Sequence, residues 1–383
     1  MKKIKLKNIC NISAGGTPSR SNINYWNNGN IPWCKIGDFS GKYINQVKEN
    51  ITEEGLKNSS AKIFKRGTIL YTIFATIGEV AILEKEAATN QAIAGLEIIN
   101  NEVDLEYLYY YLKSLKFVML KKSRGVAQNN INLGILKNIE IKIPDKIEQI
   151  NIAKILDNIE KIIDKKKKQL KELNTIIKSQ FVEMFGTPFL NEKNWKYGII
   201  KDLVKEVKYG TSKPANGGKY KYLRMNNITY DGKLDLSEIK YIDIEEDDKE
   251  KYSTKNGDIL FNRTNSKELV GKTCVFDIEE EMIIAGFIIR VRINEFANPY
   301  FISEYMNTVY LKEKLRNMCK DASGQSNINA KELENIKIYI PPITLQNQFS
   351  EIVKQIDKQK FEIEKSLKET QELYESLMEK YFG

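Results

Sequence analysis

The 383-residue chain contains no histidine. That absence excludes Ser-His-Asp and Cys-His nucleophile arrangements, histidine general bases and His-ligated metals together. Cysteine is scarce and scattered. Cys10, Cys34, Cys274 and Cys319 form no C-x-x-C pair, so neither a disulfide framework nor a zinc site is expected. No apolar run approaches the length of a membrane span, and Met1-Lys2-Lys3-Ile4 opens no signal-peptide core. A soluble, cytoplasmic chain with no membrane contact is the expectation. There is no G-x-x-x-x-G-K-[ST] loop and no G-x-G-x-x-G after a strand. Glu140-Ile141-Lys142 beside Pro144-Asp145 holds nuclease-like pieces in the wrong order, and E-x-K is common by chance in a chain so rich in Glu and Lys. The expectation is a chain with no catalytic activity of its own.

What is present is positive charge and a repeat. The net charge of +9 and pI near 9.0 point to a polyanionic partner such as nucleic acid. The length leaves room for two or three cored domains. Residues 128–186 lie on 325–383 without a gap, and 21 of the 59 aligned positions are identical. Chance would give roughly one match in twelve, so this is an internal repeat. Each copy opens on a polar run, Gln128-Asn129-Asn130-Ile131-Asn132 or Gln325-Ser326-Asn327-Ile328-Asn329. An apolar alternation follows (Ile139, Ile141, Ile143; Ile336, Ile338, Ile340), then Pro144 or Pro341.

A long helical pattern completes each copy. Ile152, Leu156, Ile159, Ile163, Leu170, Leu173, Ile177 and Met184 recur every three or four residues. Phe349, Val353, Ile356, Ile363, Leu367, Tyr374, Leu377 and Tyr381 do the same. Lys166 and Thr370 interrupt the two seams. This is coiled-coil spacing, and a helix of about 40 residues, on the order of 60 Å long, cannot bury its stripe alone. Two matched copies in one polypeptide favour pairing within the chain, and an oligomerising coiled coil between chains is the alternative. Lys165 to Lys168 read as a solvated face, with a phosphate or partner contact as the alternative.

The remaining segments repeat more loosely. Tyr209-Gly210-Thr211-Ser212 answers Gly16-Thr17-Pro18-Ser19. Leu223-Arg224-Met225-Asn226 answers Cys34-Lys35-Ile36-Gly37, and Gly257 to Phe261 answers Gly67 to Tyr71, a buried strand. Pro299 to Leu315 answers an amphipathic helix at Glu106 to Phe117. The order is therefore globule 1–144, helix 145–186, globule 187–341 and helix 342–383. A frame that repeats while its globules diverge suits two different readers on one support.

The polar clusters suit base reading. Arg and Lys donate to guanine edges, and Asn and Gln pair bidentately with adenine. The candidates in the first globule are Arg20, Lys35, Asn90, Gln91 and Arg124, with Gln128 and Asn129 following. In the second they are Arg224, Asn226, Asn227, Arg263, Asn265 and Lys267, with Gln325 and Ser326 following. For any one of them an ordinary solvated loop or a cap is the alternative.

The doubled order resembles the specificity subunit of a type I restriction–modification system over essentially the whole chain. The carriers are Gly16-Thr17-Pro18-Ser19, Tyr25-Trp26, Ile31-Pro32-Trp33, Gly257-Asp258-Ile259-Leu260, and the paired Gln-x-Asn-Ile-Asn runs with Ile143-Pro144, Gln149, Ile340-Pro341-Pro342 and Gln346. Asp145 departs from the pattern where Pro342 stands. The resemblance implies an α/β (α+β) fold with a pseudo-two-fold internal repeat: two target recognition domains separated by two long helices that pair as an antiparallel coiled coil. It implies double-stranded DNA as ligand, each domain reading half of a bipartite site. Two modification subunits would be partners and methylate adenine, and two restriction subunits could join. S-adenosylmethionine, ATP and Mg would belong to those partners, and none to this chain. A stand-alone DNA-binding repressor and a protein-binding coiled-coil scaffold are the other readings.

Overall fold

The computed structural model describes residues 2–74, 76–122, 132–319 and 326–383. Helices and sheets are mixed throughout. The chain forms two units, one running to Lys167 with Lys365–Gly383, the other Lys168–Glu364.

In the first unit a five-stranded sheet has the order Cys10–Ala14, Ile93–Ile98, Ile69–Thr72, Val80–Leu83, Tyr43–Ile44. A second sheet runs Glu49–Ile51, Ile31–Cys34, Ala87–Thr89, Ile63–Phe64. The strand expected after Gly67 is buried at all four positions. Gly67 turns the chain into it at φ +85°, a conformation that costs glycine nothing. Helix α1 (Leu105–Lys122) starts where Asp104 Oδ1 accepts from the Glu106 and Tyr107 amides. Lys2–Lys5 pairs antiparallel with Glu140–Ile143, which brings Ile4 opposite Ile141.

The second unit repeats this plan at the level of single hydrogen bonds. Its main sheet runs Val204–Tyr209, Ile288–Ile293, Asp258–Asn262, Thr273–Phe276, and a smaller one Lys240–Ile242, Tyr220–Leu223, Ile283–Ile284. Gly257 (φ +89°) matches Gly67, and their amides donate to Phe276 and Leu83 carbonyls. The loose loop match needs a small correction. Gly15 and Gly16 donate to Ile93 and Thr89, while Gly210 and Thr211 donate to Ile288 and Ile284. Gly210 therefore answers Gly15, not Thr17.

Where the units differ, packing gives the reason. Gly95 sits under the Phe64 ring, and a Cβ there would lie 2.3 Å from a ring carbon. The matching position is Arg290, fully buried and ion-paired to Glu206, with Asp258 close by. The helix expected over Pro299 to Leu315 is also not single. It breaks into α3 (Pro299–Asn307) and α4 (Val309–Met318) at Thr308, whose hydroxyl donates to Tyr305 O and caps Leu311 N.

The long helices are α2 (Lys146–Phe185) and α5 (Ile343–Phe382). Each starts with a buried glutamine. Gln149 Oε1 accepts from Asp104 N, and its Nε2 donates to Glu102 O and Pro144 O. Gln346 does the same with Asn298 N, Phe296 O and Pro341 O. Within the first unit the two helices run antiparallel, since Tyr374 meets Glu160 and Thr370 meets Lys166. Within the second they do so again, with Lys360 on Asn174 and Phe349 against Phe181 and Phe185. The seam residues Leu170, Leu173, Ile363 and Leu367 in mid-helix are only half-buried, and the last turns depart from the expected positions. Phe181, Phe185, Met378 and Phe382 are buried there, and Met184, Leu377 and Tyr381 only partly. Lys166 and Thr370, the two seam breaks, meet one another: the ammonium donates to Ser366 O, Ser366 Oγ and Thr370 Oγ1.

Candidate nucleic-acid interface

The two globules present their polar candidates on the same piece of backbone. In the first, strand Ile31–Cys34 runs into a single turn over Ile36–Asp38. Lys35 precedes that turn, and Asp38 Oδ2 accepts its amide at 3.0 Å. In the second, Tyr220–Leu223 runs into Met225–Asn227, and Asn227 Oδ1 accepts the Arg224 amide at 2.9 Å. Both strands lie parallel to a short buried strand, with Cys34 opposite Thr89 and Leu223 opposite Ile284. Lys35 and Arg224 are thus equivalent cations, positioned by the backbone rather than by chance in a loop.

The Gly15–Ser19 loop is tied beside Lys35. Trp33 Nε1 donates to Gly16 O, as Tyr222 OH donates to Thr211 O in the other globule. Arg20 leaves this loop and lies flat on Trp26, 3.5 Å from the ring centroid, and 5.0 Å from that of Trp33. Its Nη2 pairs with Glu49 at 2.6 Å, and the Lys35 ammonium binds the other oxygen of the same carboxylate. That lysine hydrogen bond, with Arg20 behind it, holds the Glu49 carboxyl below its ordinary range. Gln91 is exposed and accepts from the Thr17 hydroxyl, while Asn90 Oδ1 turns back onto the Ala92 amide.

In the second globule Arg224 and Arg263 flank the turn at Ala285–Phe287. Leu223 O accepts the Ala285 amide, and the Arg263 amide donates to Phe287 O. The Arg263 guanidinium stacks 4.9 Å from the Tyr209 ring centroid and reaches Gly286 O. Lys272, nearly buried and with its pKa lowered by that burial, braces the Met225 carbonyl from beneath. Asn226 and Lys267 are exposed, and Asn265 is half-buried on a two-residue strand opposite Ser326.

Two candidates are spent inside the fold. Asn227 is 2 % exposed, and its Nδ2 donates to Asp235 O as its Oδ1 holds Arg224 N, so it fixes the turn and offers nothing to a groove. Ser326 is 2 % exposed and sits in the Asn265 pairing. Arg124, Gln128, Asn129 and Gln325 lie outside the described residues.

Sequence reasoning overlooked Glu49 altogether, and it quoted Trp26, Trp33 and Tyr209 as motif residues without naming them as site candidates. The aromatics flank glycine or proline turns, a usable local signal. Glu49 joins the cluster through strand register alone, opposite Trp33. Among the described residues, Arg224 Nε, Arg263 Nε, Thr264 Oγ1 and both polar side-chain atoms of Asn262 are buried without a hydrogen-bond partner. Among the described residues no acid–cysteine group could hold a metal, and no helix is long and apolar enough to cross a membrane.

The sequence profile described as "Type I restriction modification DNA specificity domain" matches residues 1–175 and 192–373. The chain is 35% identical over 214 residues to the type I restriction enzyme MjaIX specificity subunit of Methanocaldococcus jannaschii, covering 54% of this chain and 48% of that protein. It is 27% identical over 327 residues to the MjaVIII specificity subunit of the same organism, 77% of this chain and 75% of that one. Against the EcoKI specificity subunit of Escherichia coli it is 26% identical over 254 residues, 62% and 54% of the two chains. It thus spans about half the length of the first and last of these relatives. The fold matches a solved type I restriction–modification S subunit from M. genitalium with TM-score 0.57 at 18% identity, covering 100% of this chain and 96% of that one. A chain solved in a study of type I restriction–modification complex assembly matches with TM-score 0.61 at 15% identity, covering 100% and 97%. With the profile met twice over most of its length, the chain belongs to the family of type I restriction–modification DNA specificity domains.

Proposed function

We propose that this chain supplies the DNA address of a type I restriction–modification complex. Each globule reads one half of a bipartite double-stranded site. The chain carries no catalytic group of its own. Two modification subunits methylate adenine in the two half-sites, using S-adenosylmethionine, and two restriction subunits that use ATP and Mg can join the assembly. The observation that carries this reading is the matched pair Lys35 and Arg224: two cations held on equivalent turns of two globules that otherwise differ in sequence. The names of the relatives and the complex-assembly neighbour support it.

The test is to mix the chain with a modification subunit and S-adenosylmethionine and map methylated sites. Lys35→Ala should relax one position of one half-site, and Arg224→Ala one position of the other, each by about 1–3 kcal/mol of discrimination. Methyl transfer by the chain alone, or a change in both half-sites from either substitution, would refute the proposal.

A further inference from the structure

Matching the two globules strand by strand exposes one reversal of charge. Glu49 stands opposite Trp33 on its strand, and Lys240 stands opposite Tyr222 on the equivalent strand. Trp33 and Tyr222 are themselves equivalent, since each donates to the carbonyl of its glycine loop. So the same place beside the same cation carries an acid in one globule and an exposed base in the other.

The acid is not idle. Its carboxylate takes Lys35 on one oxygen and Arg20 on the other, and Arg20 is pressed flat on Trp26 at the same time. A lysine ammonium on a free four-carbon stem donates in many directions and discriminates poorly. Tethered to a carboxylate, it keeps two protons in fixed directions. An arginine with one face on an aromatic ring and one nitrogen on an acid has only its remaining edge to offer. Three charged groups then act as one rigid donor set with a net charge of one. In the other globule, no ion pair joins Arg224, Arg263 or Lys240 to an acid among the described residues; Arg224 donates instead to Glu238 O and Arg263 to Gly286 O.

We propose that Glu49 is a specificity-determining positioning residue of the first reader. It aims Lys35 and Arg20 at base edges and keeps both from roaming to phosphates. The acid-for-base exchange between Glu49 and Lys240 is one reason the two readers select different half-sites. This rests on the reading of the globules as DNA readers, and it assigns them a residue whose own carboxylate need not touch DNA.

The experiment compares wild type, Glu49→Gln, Glu49→Lys and Glu49→Asp, each mixed with a modification subunit and S-adenosylmethionine on a library with both half-sites randomised. Melting curves confirm folding. Glu49→Gln should lower the preference at one or two adjacent positions of the first half-site about ten-fold. It should leave the second half-site intact, and the slope of log affinity against log salt should steepen by about one as a released cation finds a phosphate. Glu49→Lys should do the same more strongly, and Glu49→Asp, which keeps the charge, should keep the wild-type bases. An unchanged first half-site in the Gln and Lys variants overturns the proposal, as does equal behaviour of Asp and Gln or an equal change in both half-sites. A wild-type chain that directs no site-selective methylation sinks the DNA-address reading, and this proposal with it.

Discussion

The twin glutamines allow the most direct test of how the frame is fastened to the globules. Gln346 is fully buried. Its carboxamide accepts from Asn298 N at 2.9 Å and donates to Phe296 O at 3.2 Å and Pro341 O at 2.8 Å. Gln346→Leu keeps the volume and removes all three bonds, leaving an amide and two carbonyls without that partner. An orphaned buried polar group costs about 1–3 kcal/mol. The carbonyls have second lone pairs, and leucine returns part of the loss through its greater gain on burial, so the sum should be about 2–4 kcal/mol. Gln149→Leu should cost the same within about 1 kcal/mol, because it makes the same three bonds to Asp104 N, Glu102 O and Pro144 O.

Urea unfolding measures the loss, and amide hydrogen exchange locates it. The Asn298 amide should exchange faster in Gln346→Leu and the Asp104 amide in Gln149→Leu, each without the other. Gln346→Glu should be worse than leucine at neutral pH, because it buries a negative charge against two carbonyl oxygens to which it cannot donate. Burial against those carbonyls raises the folded pKa of the new glutamate above its unfolded value near 4.3. Between the two values the unfolded chain holds fewer protons, so stability should fall as pH rises from about 4 to 7. A leucine cost below about 1 kcal/mol with unchanged exchange at both amides would refute the reasoning.

Two further outcomes are expected. Burial lowers the Lys312 pKa from 10.5 to about 8, despite Asp231 and Glu304 nearby, with Lys178 and Arg316 adding to the depression. Between those values the unfolded state binds more protons, so wild type should gain stability relative to Lys312→Met as pH rises from 8 toward 10, and a flat difference in melting temperature would contradict this. Lys166→Leu should leave stability within about 1 kcal/mol in urea unfolding, since Thr370 Oγ1 already donates to Ser366 O at 2.6 Å and a leucine continues the seam. A loss above about 2 kcal/mol would mean that the ammonium contributes net stability where it sits.

What could be read from the chain, and what could not, divides by the range of the interaction. The helices were legible because heptad spacing is local, and the globule plan because Gly67 and Gly257 mark turns that demand positive φ. The Lys35–Arg224 equivalence was legible too, from the spacing of short apolar strands. The break at Thr308 was not, because its Ser/Thr cap lacks the acidic residue three positions on that would have announced it. The last turns of the seam step by four onto Phe181, Phe185, Met378 and Phe382, since these large side chains fill cores that the helices share with their globules. Asn227 looked like a reader because it follows Arg224 and Asn226; only its burial and its three backbone partners show that it is a brace. Glu49 could not have been found, since nothing local links it to Arg20, 29 residues earlier in the chain.

The seam breaks carry a last consequence for how two near-copies of one helix find a single pairing. An apolar heptad seam tolerates a slip of seven residues, because leucine and isoleucine meet leucine and isoleucine again. Lys166 removes that freedom within the first unit, since a slip would leave its ammonium half-buried away from Ser366 and Thr370. The second unit has its own device: Lys360, 8 % exposed, donates to Asn174 at 2.7 Å. Neither lysine is repeated in the other helix, for the twin of Lys166 is Ile363 and the twin of Lys360 is Ile163. Each polar contact therefore falls where the two copies differ, and each costs the seam an apolar residue. Divergence between the repeats is usually read as drift in a frame that only has to be long. Here the diverged positions are the ones that make one register distinguishable from its neighbours, so the imperfection of the repeat is part of what specifies the fold.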